Sequence, residues 1–576
     1  MLQINSGKLF SRGIGRTNHL RGVLYSNLEL FYGYDVVTAA GSLRETDGRR
    51  GSRAIVYEID ENIEAAEIGP GVLVSHTIAP FLEDFSALAT FGLRAIVSSD
   101  ADVVDRLTST GPGLASYHPP RQFVRRYFDD RIPLQQSEIA PFAEFVDRLI
   151  ALDRRTFLAA MRAIRTFVSG LHRMRDDLAL AYTLLVSAVE SLAQDFDGHQ
   201  TAWRDVDERK RKPLDHALSR ASRNTGEKVR EAILSVEHAS LARRYRGFVL
   251  SHVDAGYFRG ADLVVGGAVA RHEIEEALRQ AYIIRSRYVH NLRPLPDAIE
   301  LAESNRDVTD VNRRPVLTFQ GLVRLTHHVI TAFVAAGRKV EQEPYNYTHE
   351  QFGVVVIPLA PEMWVGSPLR RAADARQRLE GHIEQIVPVL ADAAGATVTD
   401  LRPIFPDIER LASSSKTHRT ALLTLYVLFA ALVGKQDRSP VLDALLDRHK
   451  ADIGTPSSEA LVARTLFGML DAWPIEVHQE TLDRYFAARS TPSGLHAPKL
   501  LDAVFCLALA ERYRRAKQHE AARACLARAV EACPGHPSIR SLEESFAPRK
   551  RIDWQAALLP RLAKRRTRRN APVVSE

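Results

Sequence analysis

The spacing of apolar residues changes its period along the chain. From residue 1 to about 140, short stretches at 23–31, 53–59, 71–78 and 93–97 have β-branched, aromatic or alternating character. Loops rich in Gly, Asp and Arg separate them, such as 45–52, so these stretches are predicted strands, with one helix over 79–90. From about 141 the period becomes helical. Phe142, Val146 and Leu149 begin it, followed by Phe157, Met161, Ile164 and Leu171. A predicted helix over 174–196 carries Leu178, Tyr182, Leu185, Val189, Leu192 and Phe196, two apolar positions in every seven, with Gly198 as its stop. Helical pieces at 215–222 and 227–243, a loop at 257–267 and helices over 271–292 and 318–335 complete a bundle pattern. A connector at 341–364 holds one strand candidate, 352–357. Beyond it, helices are predicted at 370–394, 420–433, 441–450, 458–470, 475–488 and 500–514.

The pattern predicts a mostly α, multidomain chain. Its parts are an N-terminal α+β domain (1–140), a central helical bundle (141–340), a linker (341–364), a C-terminal helical region (365–547) and a basic tail (548–576). One helix departs from its own pattern. Over 271–292, Ile274, Leu278, Ala281, Tyr288 and Leu292 form an apolar row, and Arg285 falls inside it. A guanidinium does not lose its proton, so an arginine on a buried face needs an acidic partner, carbonyl groups or a cleft. His290 follows five residues later, and Pro294 ends the helix by residue 293.

Charge adds little to the body of the chain. The net charge is +7, but nine of the 77 Lys/Arg and only two of the 70 Asp/Glu lie in 549–576, which leaves the rest balanced. The basic character is a property of the tail, which is expected to be partly disordered around a short amphipathic piece at Trp554, Ala556, Leu558 and Leu559. Three cysteines, Cys506, Cys525 and Cys533, make no disulfide framework, so a reducing cytoplasm is the expected location. The longest apolar run, 421–433, is 13 residues, too short to span a bilayer, so no membrane partner is expected.

Several motif fragments read as ordinary structure. Gly13-Ile-Gly15 lacks the third glycine of a dinucleotide fingerprint, and Ser6-Gly7-Lys8 lacks the upstream glycine of a phosphate loop. Both read as turns. His327-His328 has no acidic or cysteine ligand at metal spacing, and Glu276 replaces the second histidine of a zinc motif that His272 would begin. No cofactor or metal is expected.

Three stretches carry a resemblance. They are AYTLLVSAVESL from Ala181 to Leu192, YIIRSRYVH from Tyr282 to His290, and RPVLTFQGLVRL from Arg314 to Leu325. Together they resemble the Apea-like branch of the HEPN superfamily over about 141–340. The resemblance implies a helical bundle that dimerises about the Arg285-x4-His290 helix. It also implies either a metal-independent endoribonuclease, often a toxin or antiviral defence effector, or a non-catalytic RNA- or protein-binding oligomeric scaffold. Active members often carry Asn, Asp or His after the arginine; this chain has Ser286. Further on, Leu509, Ala510, Tyr513, Ala522, Leu526, Ala529 and Pro534 resemble a tetratricopeptide repeat. That implies a short α-solenoid with a protein partner.

The residue types suit RNA cleavage on chemical grounds as well. RNA brings its own nucleophile, the 2′-hydroxyl. Histidine is suited to removing that proton, and arginine's fork to holding charge on a phosphate. Arg285 and His290 are therefore the candidate catalytic residues, with Glu190 either orienting Arg285 or standing as a solvated flank residue. The opposing reading pairs Arg285 with Glu190 inside the bundle and makes His290 a helix cap. Arg209, Lys210, Arg211, Lys212 and Arg287 are candidate RNA contacts, although a run of four basic residues is more often a solvated loop. Residues five apart on a regular helix point about 140° apart. Arg285 and His290 therefore meet only if the helix frays at Asn291 or if two copies of the chain pair.

Overall fold

The computed structural model describes the chain apart from 32–34, 47–52, 66–75, 112–117, 197–202, 204–207, 220, 237–240, 261–262, 264–265, 348–349, 351–358, 468 and 564–576. Of 208–210, 223, 235 and 236 it describes the backbone alone. The chain divides into two compact units, Met1–Val356 and Ile357–Glu576. It is mostly helical and multidomain, with an N-terminal α+β region.

The first unit opens on an antiparallel five-stranded sheet in the order Val36–Thr38, Gly41–Glu45, Ala54–Glu64, Ile14–Ser26, Val97–Ser98. In Ala54–Glu64, Ile55, Tyr57, Ile59 and Ile63 are buried on alternate positions, as a strand with one covered face requires. The helix Ala79–Leu93 supplies part of that cover. Phe85 stacks on Tyr57 with ring centroids 4.5 Å apart and meets Phe142 of the helix Gln136–Ala151 edge-on at 6.4 Å. One buried cluster thus runs from the sheet into the bundle. The candidate strand at 71–78 lies mostly outside the described residues, as does that at 352–357.

Ser6-Gly7-Lys8 is a turn, whereas Gly13-Ile-Gly15 is the start of a strand, Ile14–Ser26. Gly13 has φ +78°, and the strand begins at Ile14 with a register shift between Ile14 and Arg16. Gly7 has φ +77°, and it delivers Lys8 to the end of the helix Gln136–Ala151. There the Lys8 ammonium, 6% exposed, donates to the carbonyls of Ile150, Ala151 and Leu152 at 3.4, 2.7 and 2.5 Å. A cation at the carbonyl end of a helix complements its dipole, and burial lowers the lysine pKa.

The bundle packs around Leu178–Phe196. Its neighbours are Arg154–Arg173, Leu241–His252, Ile274–Asn291 and Phe319–Ala336. The repeat read from sequence is its buried stripe, since Tyr182, Leu185, Val189 and Leu192 are all buried. The helix begins four residues later than expected. Asp176 and Asp177 turn back onto the Arg173 carbonyl, and the Asp177 carboxylate accepts from the Leu180 N–H at 2.9 Å. The stretch around the basic run is helical rather than a loop: Arg211 and Lys212 lie in Glu208–Leu218, and Arg223–Val236 follows. The expected helix over 227–243 ends instead at Val236, and a further helix, Leu241–His252, buries Tyr245, Phe248 and Val249. The lead-in RPVL is a strand, Arg314–Leu317, paired with Val308–Val311, and Thr318 caps the helix that follows.

Among the described residues the second unit contains helices and no strand. Ile475–Ala488 has the predicted bounds, and Lys499–Arg515 is one residue longer at each end. Phe405–Ser414 was not predicted, although Pro406 at its first turn and the stripe Phe405, Ile408, Leu411 signal it. In the last hairpin, Leu509, Ala510, Ala522, Leu526 and Ala529 are buried, and Cys506 and Cys525 pack among them. Burial pushes the Cys506 thiol up to about 12 and the Cys525 thiol up to about 11, which keeps both protonated. The short amphipathic piece expected in the tail is a helix, Trp554–Leu558. Ile552, Trp554, Leu558 and Leu559 join the core of this unit, so apolar burial outweighs the surrounding basic charge up to residue 563.

Candidate functional site

The helix Ile274–Asn291 buries Ile274, Ala277, Leu278, Ala281 and Ile284. The predicted seam extends no further: Tyr288 is half-buried and Leu292 is 76% exposed. The last turn therefore leaves the bundle, and Arg285 stands where the buried face gives way to solvent. Its side chain is 20% exposed, and Nη2 lies 2.5 Å from Oε2 of Glu190, itself 4% exposed. The Tyr282 hydroxyl donates to the other oxygen of Glu190 at 3.0 Å. The Arg285 guanidinium also sits 5.7 Å from the centre of the Tyr282 ring. Burial, and then the Glu190 charge, push the Tyr245 and Tyr282 hydroxyls above their ordinary pKa, so both remain protonated donors. The Nε of Arg285 is buried with no hydrogen-bond partner among the described residues.

Glu190 is thus a buried partner of Arg285 and not a solvated flank residue. Sequence reasoning missed Tyr282 and Tyr245. Tyr282 carried a usable signal, because it lies one turn before Arg285 and residues three apart share a helix face.

His290 is exposed, and among the described residues no hydrogen bond or ion pair involves its ring. The helix does not fray before it. Leu292 adopts φ 50°, ψ 35° and its N–H reaches the carbonyls of Arg287 and Tyr288, a left-handed backbone cap. His290 therefore does not cap the helix, and Arg285 and His290 stay about 140° apart around an unbroken axis. The structure does not bring the two together within one chain. The same exposed end presents Arg287, Val289, Leu292 and Arg293. Arg211 is half-buried and Lys212 exposed on a separate helix; the side chains of Arg209 and Lys210 lie outside the described residues.

Another buried ion pair joins the helix Phe319–Ala336 to the residue just before the strand Val308–Val311. Arg324 binds Asp307 through Nη2 at 2.5 Å and Nε at 3.2 Å, donates through Nη1 to the Tyr257 carbonyl at 3.0 Å, and covers the Tyr257 ring at 3.9 Å. Neighbouring His327 is a core residue, stacked on Phe91 with ring centroids 4.4 Å apart, and burial pushes its pKa down to about 3. His328 faces Asp254 at 3.5 Å. Among the described residues, no group of three or more His, Cys, Asp or Glu is placed to hold a metal ion, and no helix is long and apolar enough to cross a membrane. No family model, curated protein or solved structure matches the chain.

Proposed function

We propose that this chain is a metal-independent endoribonuclease of the HEPN type whose active site is completed by a second copy. The observation that carries the reading is the split between Arg285, held by buried Glu190, and His290, exposed and without a partner among the described residues at the regular end of the same helix. The exposed apolar side chains beside it, Val289 at 48% and Leu292 at 76%, suit a helix-to-helix contact between copies. In such a pair, His290 of one copy removes the 2′-hydroxyl proton as that oxygen attacks the adjacent phosphorus. Arg285 of the other holds the charge growing on the phosphate oxygens, and the 5′-oxygen leaves with a proton taken from water, to which His290 later returns its own. The products are a 2′,3′-cyclic phosphate and a 5′-hydroxyl. Arg287 at the exposed end, with the basic helix that carries Arg211 and Lys212, steers the RNA backbone. The C-terminal helical hairpins act as a short α-solenoid that recognises a protein partner, an arrangement suited to a triggered toxin or defence effector.

The test is incubation of the full chain with labelled RNA in chelator. Wild type is expected to cleave, and Arg285→Ala and His290→Ala each to lose about 100-fold or more. Mixing the two variants is expected to restore about a quarter of wild-type activity, because random pairing makes half the dimers mixed, each with one intact site. Cleavage that survives both substitutions overturns the reading. A second reading, a non-catalytic RNA- or protein-binding scaffold, is favoured by one observation: Glu190 already neutralises Arg285 within the bundle. It expects no turnover from wild type.

A further inference from the structure

Arg324, the arginine of the pair with Asp307, forms part of the wall of a cleft of about 420 Å³ in the first unit. A cleft of this size accommodates a small organic ligand. Its charge is mainly basic. Arg94, Arg125, Arg126 and Arg324 line it. Glu138 pairs with Arg126 at 2.5 Å, Asp307 pairs with Arg324, and the largely exposed Asp254 faces His328. No ion pair of the Arg125 guanidinium occurs among the described residues, and that side chain is exposed. Arg94 and Arg126 have φ +53° and +71°, a left-handed backbone where glycine is the ordinary choice. At both positions the chain carries a guanidinium on the cleft wall instead.

The cleft also has unmet hydrogen-bonding capacity. Tyr127 and Tyr257, each 3% exposed, line it, and neither hydroxyl has a hydrogen-bond partner among the described residues. Nε2 of His327 is buried there without a partner as well. Buried polar atoms are nearly always paired, so three that have no partner among the described residues and line one cleft offer hydrogen-bonding capacity to a ligand. Burial holds both tyrosines protonated and His327 neutral. Neutral hydroxyls and a neutral imidazole match uncharged polar atoms, such as sugar hydroxyls or a base edge. Guanidinium groups match a phosphate.

We propose that this cleft binds a phosphate-bearing small molecule of nucleotide size, with Arg125 on the phosphate and Tyr127, Tyr257 and His327 on its neutral polar part. The proposal does not depend on the ribonuclease reading. Calorimetric titration of the full chain with the four nucleoside 5′-monophosphates, adenosine and inorganic phosphate tests it. At least one monophosphate is expected to bind about tenfold or more tightly than either adenosine or phosphate. Arg125→Ala is expected to weaken that binding about tenfold. Tyr127→Phe is expected to weaken it by several-fold without lowering Tm, since it removes a hydroxyl that is unpartnered in the free protein. The proposal is overturned if no monophosphate binds, if phosphate alone binds equally well, or if Arg125→Ala leaves binding unchanged. A fall in Tm that accompanies Tyr127→Phe also overturns the tyrosine's role.

Discussion

Two buried arginine–carboxylate pairs of the first unit, Asp307–Arg324 and Glu190–Arg285, are made of the same groups in different surroundings. At Asp307 the carboxylate takes the Arg324 fork and the Val269 N–H at 3.0 Å, and every nitrogen of Arg324 is used. The pair ties together the loop at Tyr257, the segment leading into Val308–Val311 and the helix Phe319–Ala336. At Glu190 the closest contact to arginine is through Nη2, Nε has no hydrogen-bond partner among the described residues, and the guanidinium reaches solvent at 20% exposure. A saturated pair is an architectural anchor. An unsaturated pair at the edge of the core holds a cation in place and leaves it some capacity for another anion.

The comparison breaks most visibly at Asp307. Asp307→Ala leaves a guanidinium at 11% exposure and the Val269 N–H without their acceptor. It is expected to cost about 3–5 kcal/mol, read from urea unfolding. A cost under about 1 kcal/mol would show that water or another acceptor replaces the carboxylate, and the anchor role would fail.

Glu190→Ala is expected to cost less, about 1–3 kcal/mol, because Arg285 can turn part of its guanidinium to water while Tyr282 loses an acceptor. The paired replacement Glu190→Leu with Arg285→Met sharpens the point. It is expected to be less destabilising than Glu190→Ala alone, since no charge is left buried. If the double variant is the worse of the two, the ion pair itself contributes the stability.

Acid separates the same regions through His327. Its folded-state pKa is about 3, against an ordinary histidine value near 6.5 when unfolded. Below pH 6.5 the unfolded chain takes up a proton that the folded chain refuses. The stability contribution is therefore complete above pH 6.5 and is lost as pH falls toward 3, by up to about 1.4 kcal/mol per pH unit. His327→Phe is expected to flatten the fall in unfolding free energy between pH 6 and 4 by about that slope. An unchanged slope would mean that the ring is protonated in the fold.

These differences show what periodicity conveys. The stripe Tyr182, Leu185, Val189, Leu192 and the oddity of Arg285 were legible because burial of one helix face imposes a fixed spacing. Glu190 was half legible: its row was visible, but the row cannot say that Leu241–His252 closes over it. Asp307 and Arg324 were not legible, because 17 residues and a β-hairpin separate them and only the turn geometry brings them together. The outward turn of Leu292 was hidden as well, since an apolar residue in register looks buried until the neighbouring helix is found to end.

The smallest expected effect decides between the readings of the site. His290→Ala removes an exposed ring without a bond among the described residues, so Tm is expected to move by no more than a surface substitution would, within about 0.5 kcal/mol of stability. Arg285→Ala, by contrast, strands the buried Glu190 carboxylate and lowers Tm. A structural role predicts that stability tracks whatever other property the two variants change. A catalytic role predicts that it does not: both lose RNA cleavage, and only one loses stability. A thermal melt of His290→Ala beside its activity in chelator therefore carries the test. Full stability with lost cleavage supports chemistry at the exposed end of the helix, and lost stability with retained cleavage returns His290 to the architecture.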